Sequence, residues 1–346
     1  DEVIDALEAA LRAFDESKYQ VPARDGFEYQ DPAPGLLEWM PAMECGGEIT
    51  VKLVGYHPRN PALEGLPTIL STALTFDTAT GHLGSIVDGT FPTAIRTGAA
   101  SAVASRILAN PESRILGIIG CGAQSMAQVH GMTRVFDLER VLVYDIDSQA
   151  SRSFSERLEI LDLADLEIEV APLESVVRTS HVLCTATSVE VGRGPVMPDV
   201  AVDPALHINA IGSDFPGKRE LTESLLKRSF VCPDFRPQAV REGECQVLDD
   251  EDIGPDLAEL VKHETLYAGH REDLTVFDST GWALEDHVVV GILVRHGVRL
   301  GLGTSLQLEA IAGDPKNPYV ICDERDYRQV SERNREDKDQ PLKVVR

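Results

Sequence analysis

Basic side chains are scarce in this chain, and lysine is the scarcest charged type. The 346 residues carry 57 acidic against 32 basic groups, a formal net charge of −25, and only eight of the basic residues are lysines. Such a surface repels phosphate backbones and excludes nucleic acid as a natural partner. The acids are spread along the chain rather than gathered in one block, which argues against an acidic interaction tail. A smooth acidic excess with few lysines instead suggests a high-salt interior, where screening quenches self-repulsion. Long apolar runs are missing too. No segment approaches the ~20 residues needed to cross a bilayer, and the first residues do not read as a signal peptide. The expectation is a cytoplasmic protein with no membrane partner. The six cysteines (Cys45, Cys121, Cys184, Cys232, Cys245 and Cys322) form no CxxC pair, and the nine histidines show no ligand spacing. No metal site is expected, and buried free thiols are the simplest reading.

What is present is organised around Arg114-Ile-Leu-Gly-Ile-Ile-Gly-Cys-Gly-Ala-Gln-Ser125. An apolar strand, Ile115–Ile119, runs into a turn with Gly120 and Gly122, followed by a helical run from Gln124 to Phe136. A second strand, Val141–Tyr144, ends in Asp145. Strand, glycine turn, helix, strand and acid together are a dinucleotide-binding signature. The glycines let backbone approach a pyrophosphate, and the carboxylate can hold both hydroxyls of an adenosine ribose. A 2′-phosphate would meet that carboxylate, so NAD is favoured over NADP. Ser125 stands where a third glycine is usual.

The length suggests two domains. An amphipathic helix opens the chain over Glu2–Phe14. Tyr19–Gly35 reads as irregular. Four strand-like runs follow (Leu36–Met40, Glu48–Tyr56, Thr68–Phe76 and His82–Val87) with short connections that suit an antiparallel sheet. Thr93–Ala109 is a helix of small residues able to pack closely on a backbone, ended by Asn110-Pro111. Beyond it strands and helices alternate, with strands at Leu166–Val170, His181–Thr185, His207–Ile211, Ser229–Cys232 and Thr275–Phe277. The expected fold is α/β: a doubly wound parallel Rossmann domain over 111–298 beside an α+β substrate and dimerisation domain with a mainly antiparallel sheet. The second domain spans 1–110 and is completed by about 299–324. A helix over Ala283–Val298 should carry the chain back to it. Residues 325–346 read as a mobile charged tail.

Arg24, Glu38, Lys52 and Arg96 are charged residues in or beside strands or at a helix start. Three cations converging on one point would form a carboxylate clamp, although a lysine in a strand is as often a solvated edge residue. The strand ending in Gly212-Ser213-Asp214 delivers Asp214 to the rim of the parallel sheet, where it either serves a nicotinamide site or caps the next turn with Lys218 as partner. Thr185-Ala-Thr-Ser188 suits hydrogen bonding to cofactor hydroxyls. Ser279 and Thr280 are caps or site lining. His57 and His207 read as structural.

Thr93-Ala-Ile-Arg-Thr-Gly-Ala-Ala-Ser101, Gly120-Cys-Gly-Ala-Gln124 and His207-Ile-Asn-Ala-Ile-Gly212 resemble the ornithine cyclodeaminase/mu-crystallin family. The likeness runs from about Arg24 to Pro318. Glu38 before Met40-Pro41, the Asp214-Phe-Pro-Gly-Lys218 run and Pro237 to Glu244 resemble its cyclodeaminase branch. The resemblance implies that Arg24, Lys52 and Arg96 hold a substrate carboxylate with Thr280 nearby, and that Asp214 is the base with Glu38 beside it. It further implies cofactor contacts from Thr68, Arg96, Thr97, Gly120, Gly122, Ala123, Gln124, Asp145, Thr187, Ile211, Gly212, Ser213, Lys218 and Ser279. The implied reaction is ornithine cyclodeamination: hydride transfer to NAD, attack of the δ-amine on the imine, loss of ammonia and return of the hydride to give L-proline. A homodimer sharing its antiparallel sheets is implied as well. Alanine dehydrogenase, cyclic imine (ketimine) reductase, lysine cyclodeaminase and a non-enzymatic ligand binder are the alternatives the family leaves open.

Overall fold

A computed structural model describes residues 1–163, 166–306, 308–309, 314–317, 319 and 342–345. The chain builds two sheets. The first holds β1 (Tyr19–Gln20), β2 (Asp25–Tyr29), β3 (Gly35–Glu44), β4 (Glu48–Tyr56), β5 (Ile69–Asp77) and β6 (Leu83–Asp88). From β3 to β6 it is an antiparallel meander. The second holds β7 (Ile115–Ile119), β8 (Arg140–Tyr144), β9 (Glu167–Val170), β10 (Val182–Thr185), β11 (His207–Ala210), β12 (Phe230–Pro233) and β13 (Thr275–Asp278), in the order β12-β13-β11-β10-β7-β8-β9. Every pairing in it is parallel. The order reverses between β7 and β10, so their carboxyl ends flank a crevice of the kind in which open α/β sheets bind ligands. All residues of β10, β11 and β13 are buried, as expected for central strands of a parallel sheet covered on both faces.

The structure departs from the expectation over Tyr19–Gly35. There β2 pairs antiparallel with β3, and β1 pairs with its far end. An edge strand needs only one partner, and Asp-Gly-Phe-Glu-Tyr carries too little apolar alternation to announce itself. β3 also continues through Pro41 to Glu44. Pro41 falls in the gap between the residues that pair with β2 and those that pair with β1, a place on the strand that suits a residue lacking an N–H.

The small-residue helix, Thr90–Leu108, is buried along most of its length. A Cβ on Gly98 would overlap the Ala127 carbonyl, and one on Gly131 would overlap the Gly98 carbonyl, so two glycines let this helix lie directly on the helix Ala123–Met132. The return helix, Ala283–Leu300, places Ala283 in a small core with Met40 and Val54 of the first sheet. Parts of the completing segment 299–324 and most of the tail fall outside the described residues. Among those described, β14 (Thr304–Leu306) pairs with β15 (Leu342–Val345), and β15 adds parallel to β6.

Candidate active site

The glycine turn behaves as its sequence requires. Gly120 has φ of +89°, and a Cβ there would lie 2.7 Å from the Ala186 carbonyl oxygen. Gly122 opens the helix Ala123–Met132, and a Cβ on it would meet nothing within 4 Å, so bare backbone faces open space at a helix N-terminus. Ser125, in the place of a third glycine, closes the turn by donating its hydroxyl to the Gly120 carbonyl. Asp145 accepts the Cys121 amide at 2.7 Å and the Asp147 amide at 2.8 Å, which fixes its carboxylate against the loop. The Gln124 side-chain oxygen is buried without a partner beside this opening. Empty room above Gly122, an unsatisfied amide and a fixed carboxylate suit NAD. With Asp145 there, NADP is expected to bind at least about tenfold more weakly than NAD, and Asp145→Ala should narrow the gap in a fluorescence titration of both cofactors.

The wall opposite is built from the inner face of the first sheet. Strand alternation puts Glu38 on β3 and Lys52 on β4 on that same face, in neighbouring rows: Glu38 opposite Val54 and Lys52 opposite Met40. Lys52 is 2% exposed, so it is not the solvated edge lysine that strand statistics would suggest. Its Nζ lies 2.7 Å from Asp286 Oδ2. Arg96 pairs with Glu285 at 2.7 Å and with Asp286 Oδ1 at 3.3 Å. Arg24 Nε lies 2.8 Å from Glu242 and 3.3 Å from Glu38, while its Nη atoms donate to the Thr280 and Asp214 carbonyl oxygens. Arg24, Glu38, Asp214 and Thr280 are thus brought together, as are Lys52 and Arg96.

At the rim, Lys218 Nζ donates to Asp214 Oδ1 at 2.6 Å, the partnership foreseen for a capping role, and Ser213 Oγ donates to the Lys218 carbonyl. Thr187 and Gly212 meet through the fully buried Glu220. Its carboxylate accepts the Thr185 hydroxyl, the amide and hydroxyl of Thr187 and the Gly212 amide, all within 2.8 Å. Ile211 is buried beside them. Ser279 and Thr280 turn their hydroxyls to Asp234. Thr97 donates its hydroxyl back to Thr93 within its own helix, and the backbone carbonyl of Thr68, in the loop before β5, accepts the His57 amide. His207 is buried against Thr275 and burial lowers it to about 3, which fits a neutral structural histidine.

Five acids escaped the sequence reading: Glu220, Asp234, Glu242, Glu285 and Asp286. Glu285 and Asp286 sit in the first turn of a helix, where acids are ordinary, so nothing local marks them. Glu242 lies in the run Pro237–Glu244, whose likeness to cyclodeaminases was the one available signal. Burial pushes the Glu242 carboxyl up to about 7, against the pull of Arg24 and with help from Glu38 and Asp214. Burial likewise raises Glu38, with Arg24 opposing. For Asp214 burial acts in the same direction, but Lys218 and Arg24 outweigh it and hold its carboxyl below the usual range. Burial lowers Lys52 to about 8, with Asp286 opposing.

A dinucleotide seat facing a wall of buried, paired charges is the arrangement of a nicotinamide-dependent enzyme. The chain belongs to the ornithine cyclodeaminase/mu-crystallin family, whose model matches residues 1–298. It is 42% identical over 300 residues to an L-lysine cyclodeaminase of Streptomyces rapamycinicus, covering 87% of each chain. It is 32% identical over 285 residues to an ornithine cyclodeaminase of Agrobacterium fabrum, covering 82% of this chain and 78% of that one. Among solved structures, a lysine cyclodeaminase described with L-lysine, L-ornithine and L-2,4-diaminobutyric acid recognition superposes with a TM-score of 0.88 at 45% identity, covering 92% of both chains. An archaeal alanine dehydrogenase dimer with bound NAD superposes at 0.80 with 33% identity, covering 89% of this chain and 95% of that one.

Proposed function

We propose that the protein is an NAD-dependent cyclodeaminase of basic diamino acids, with L-lysine the first substrate to test and L-ornithine the second. The observation that carries this reading is the cluster of acids at Arg24: Glu38 and Glu242 on its Nε, and Asp214, whose carbonyl accepts from Arg24 while its carboxylate meets Lys218. The Asp214 carboxylate, which Lys218 and Arg24 hold below the usual range, and the neighbouring Glu38 and Glu242 give a second ammonium a partner. A diamino acid carries that second, distal ammonium. Alanine carries no net charge and has nothing to place against the three acids. The order of lysine and ornithine departs from the expectation drawn from the sequence, and rests on the greater likeness to lysine cyclodeaminases. The two differ by one methylene, worth roughly 10–200-fold in kcat/KM, so both should turn over.

Bound NAD supplies a hydride acceptor that later returns the hydride, leaving no net redox change. The chain's residues do the rest. Lys52, Arg96 and Arg24 hold the α-carboxylate so that the α-carbon faces the cofactor. Asp214, kept ionised by Lys218, receives the distal ammonium. Glu242, close to neutrality, takes its proton, since an amine must be neutral to attack. The distal nitrogen then bonds to the α-carbon and the original C–N bond breaks, with the proton leaving on ammonia. Incubating the protein with catalytic NAD and L-lysine or L-ornithine tests this: a cyclic imino acid and one ammonia per turnover, with no lasting change in NADH absorbance, supports it.

The outer face of the first sheet supports a homodimer. Trp39, Pro41, Met43, Ile49, Val51, Leu53, Leu74 and Phe76 form a continuous apolar surface there, half-exposed in a single chain. Light scattering after size exclusion should give twice the 37.7 kDa chain mass, and Val51→Glu on that face should reduce it toward one. The lysine-poor acidic surface should make the melting temperature rise with added KCl, to a greater degree than ordinary screening of a near-neutral protein would.

A further inference from the structure

The clamp cations come from different elements, Lys52 from β4 and Arg96 from the small-residue helix, and a third element ties them together. Asp286, 1% exposed on the return helix, spans both: Oδ2 lies 2.7 Å from Lys52 Nζ and Oδ1 lies 3.3 Å from Arg96 Nε. We propose that Asp286 is a positioning residue that joins Lys52 and Arg96 into a single receptor for the substrate's α-carboxylate. The proposal deepens the cyclodeaminase reading and rests on it for the nature of that carboxylate.

Three features support the assignment. An ammonium has three donors and a guanidinium five, so one carboxylate leaves donors on both cations for a second carboxylate. Arg96 is further fixed by Glu285, which accepts from Nη1 at 2.7 Å, and by Gly281, whose φ is +91° and on which a Cβ would stand 2.6 Å from Arg96 Nη2. The guanidinium therefore has one seat. Two cations forced together without a counter-charge would repel, and the buried lysine is the one able to give up its charge. The charged groups acting on Lys52 are Asp286, Arg96 and Arg24, with Glu38 on the neighbouring row of the sheet; burial lowers it to about 8, and Asp286 is the largest influence keeping its proton. The sign follows. Lys52 is charged and able to bind a carboxylate below about 8, so kcat/KM should fall as pH rises through that value. Without Asp286 the fall comes at lower pH.

The experiment is Asp286→Asn, read by kcat and KM for L-lysine across pH and by binding of L-norleucine, which keeps the α-carboxylate and lacks the distal amine, to the NAD complex. The expected result is a rise of at least about tenfold in KM and in the norleucine dissociation constant, a smaller change in kcat, a basic limb displaced downward by a unit or more, and unchanged NAD affinity. Asp286→Glu should restore part of the limb's position. An unchanged limb and unchanged norleucine affinity in a variant that binds NAD overturns the proposal. If Asp286→Asn does not fold, Lys52→Arg serves instead: arginine stays protonated, so the limb near 8 should vanish, and its persistence overturns the proposal. Norleucine binding does not require cyclisation. A failure of the cyclodeaminase reading is therefore seen separately, as the absence of cyclic product from the unaltered protein.

Discussion

Glu242→Gln is expected to lower kcat on a diamino acid by roughly 10²–10⁴, the range a positioned general base contributes, and to remove the acid limb of the kcat/KM profile. The direction comes from the geometry. Glu242 shares the Arg24 Nε with Glu38, and burial raises its carboxyl to about 7 against that cation. As pH rises through about 7 the free carboxylate appears and the rate should climb with it. Glutamine has nearly the same shape but neither accepts a proton nor titrates. Arg24 keeps Glu38 as a partner, so the fold should hold. With Lys52 losing its proton near 8, the unaltered protein should show a narrow bell with its maximum between these two values. A Glu242→Gln enzyme with kcat within about twofold of the parent would assign the proton transfer elsewhere.

Asp214→Asn is expected to abolish cyclic product while NAD affinity stays within a small factor. Burial works against the Asp214 charge, yet Lys218 at 2.6 Å and Arg24 hold it ionised through the neutral range. That makes it a poor proton acceptor near pH 7 and a good fixed anion for an incoming ammonium. Asparagine would leave Lys218 as an uncompensated cation facing the substrate's own, so the loss should be about 10³-fold or more in kcat/KM. Unchanged turnover would remove Asp214 from the mechanism.

The cofactor side of this site was legible because its information is local. Strand, turn, helix and Asp145 lie within about thirty residues, a span in which glycine conformation and helix-terminus electrostatics govern the chemistry. Gly120 takes the positive φ of a tight turn and Gly122 leaves open space at the helix start, and only the substitute for the third glycine had to be seen: the Ser125 hydroxyl closes the turn while Gly98 and Gly131 supply the close packing. The charges of the opposite wall were visible as individual residues, since Lys52 in an apolar strand and Arg96 before a small-residue helix are conspicuous. Their partners were not. Arg96 meets Glu285 across 189 positions, Arg24 meets Asp214 across 190, and no periodicity reports a contact of that kind. Glu220 was hidden although it lies two residues past the Asp214–Lys218 run: it gathers the ends of β10 and β11, a contact that nothing in that run announces. Short edge strands such as β2 are hard to read because one-sided pairing asks little of the side chains.

The most direct measurement is the fate of L-lysine and of L-ornithine with the protein and a small amount of NAD, followed by product mass, ammonia and absorbance of the reduced cofactor together. A cyclic imino acid and ammonia in equal amounts, many turnovers per NAD and no net reduced cofactor are expected. Reduced cofactor accumulating in step with an oxo acid, or L-alanine consumed in preference to both diamino acids, would contradict the cyclodeaminase reading.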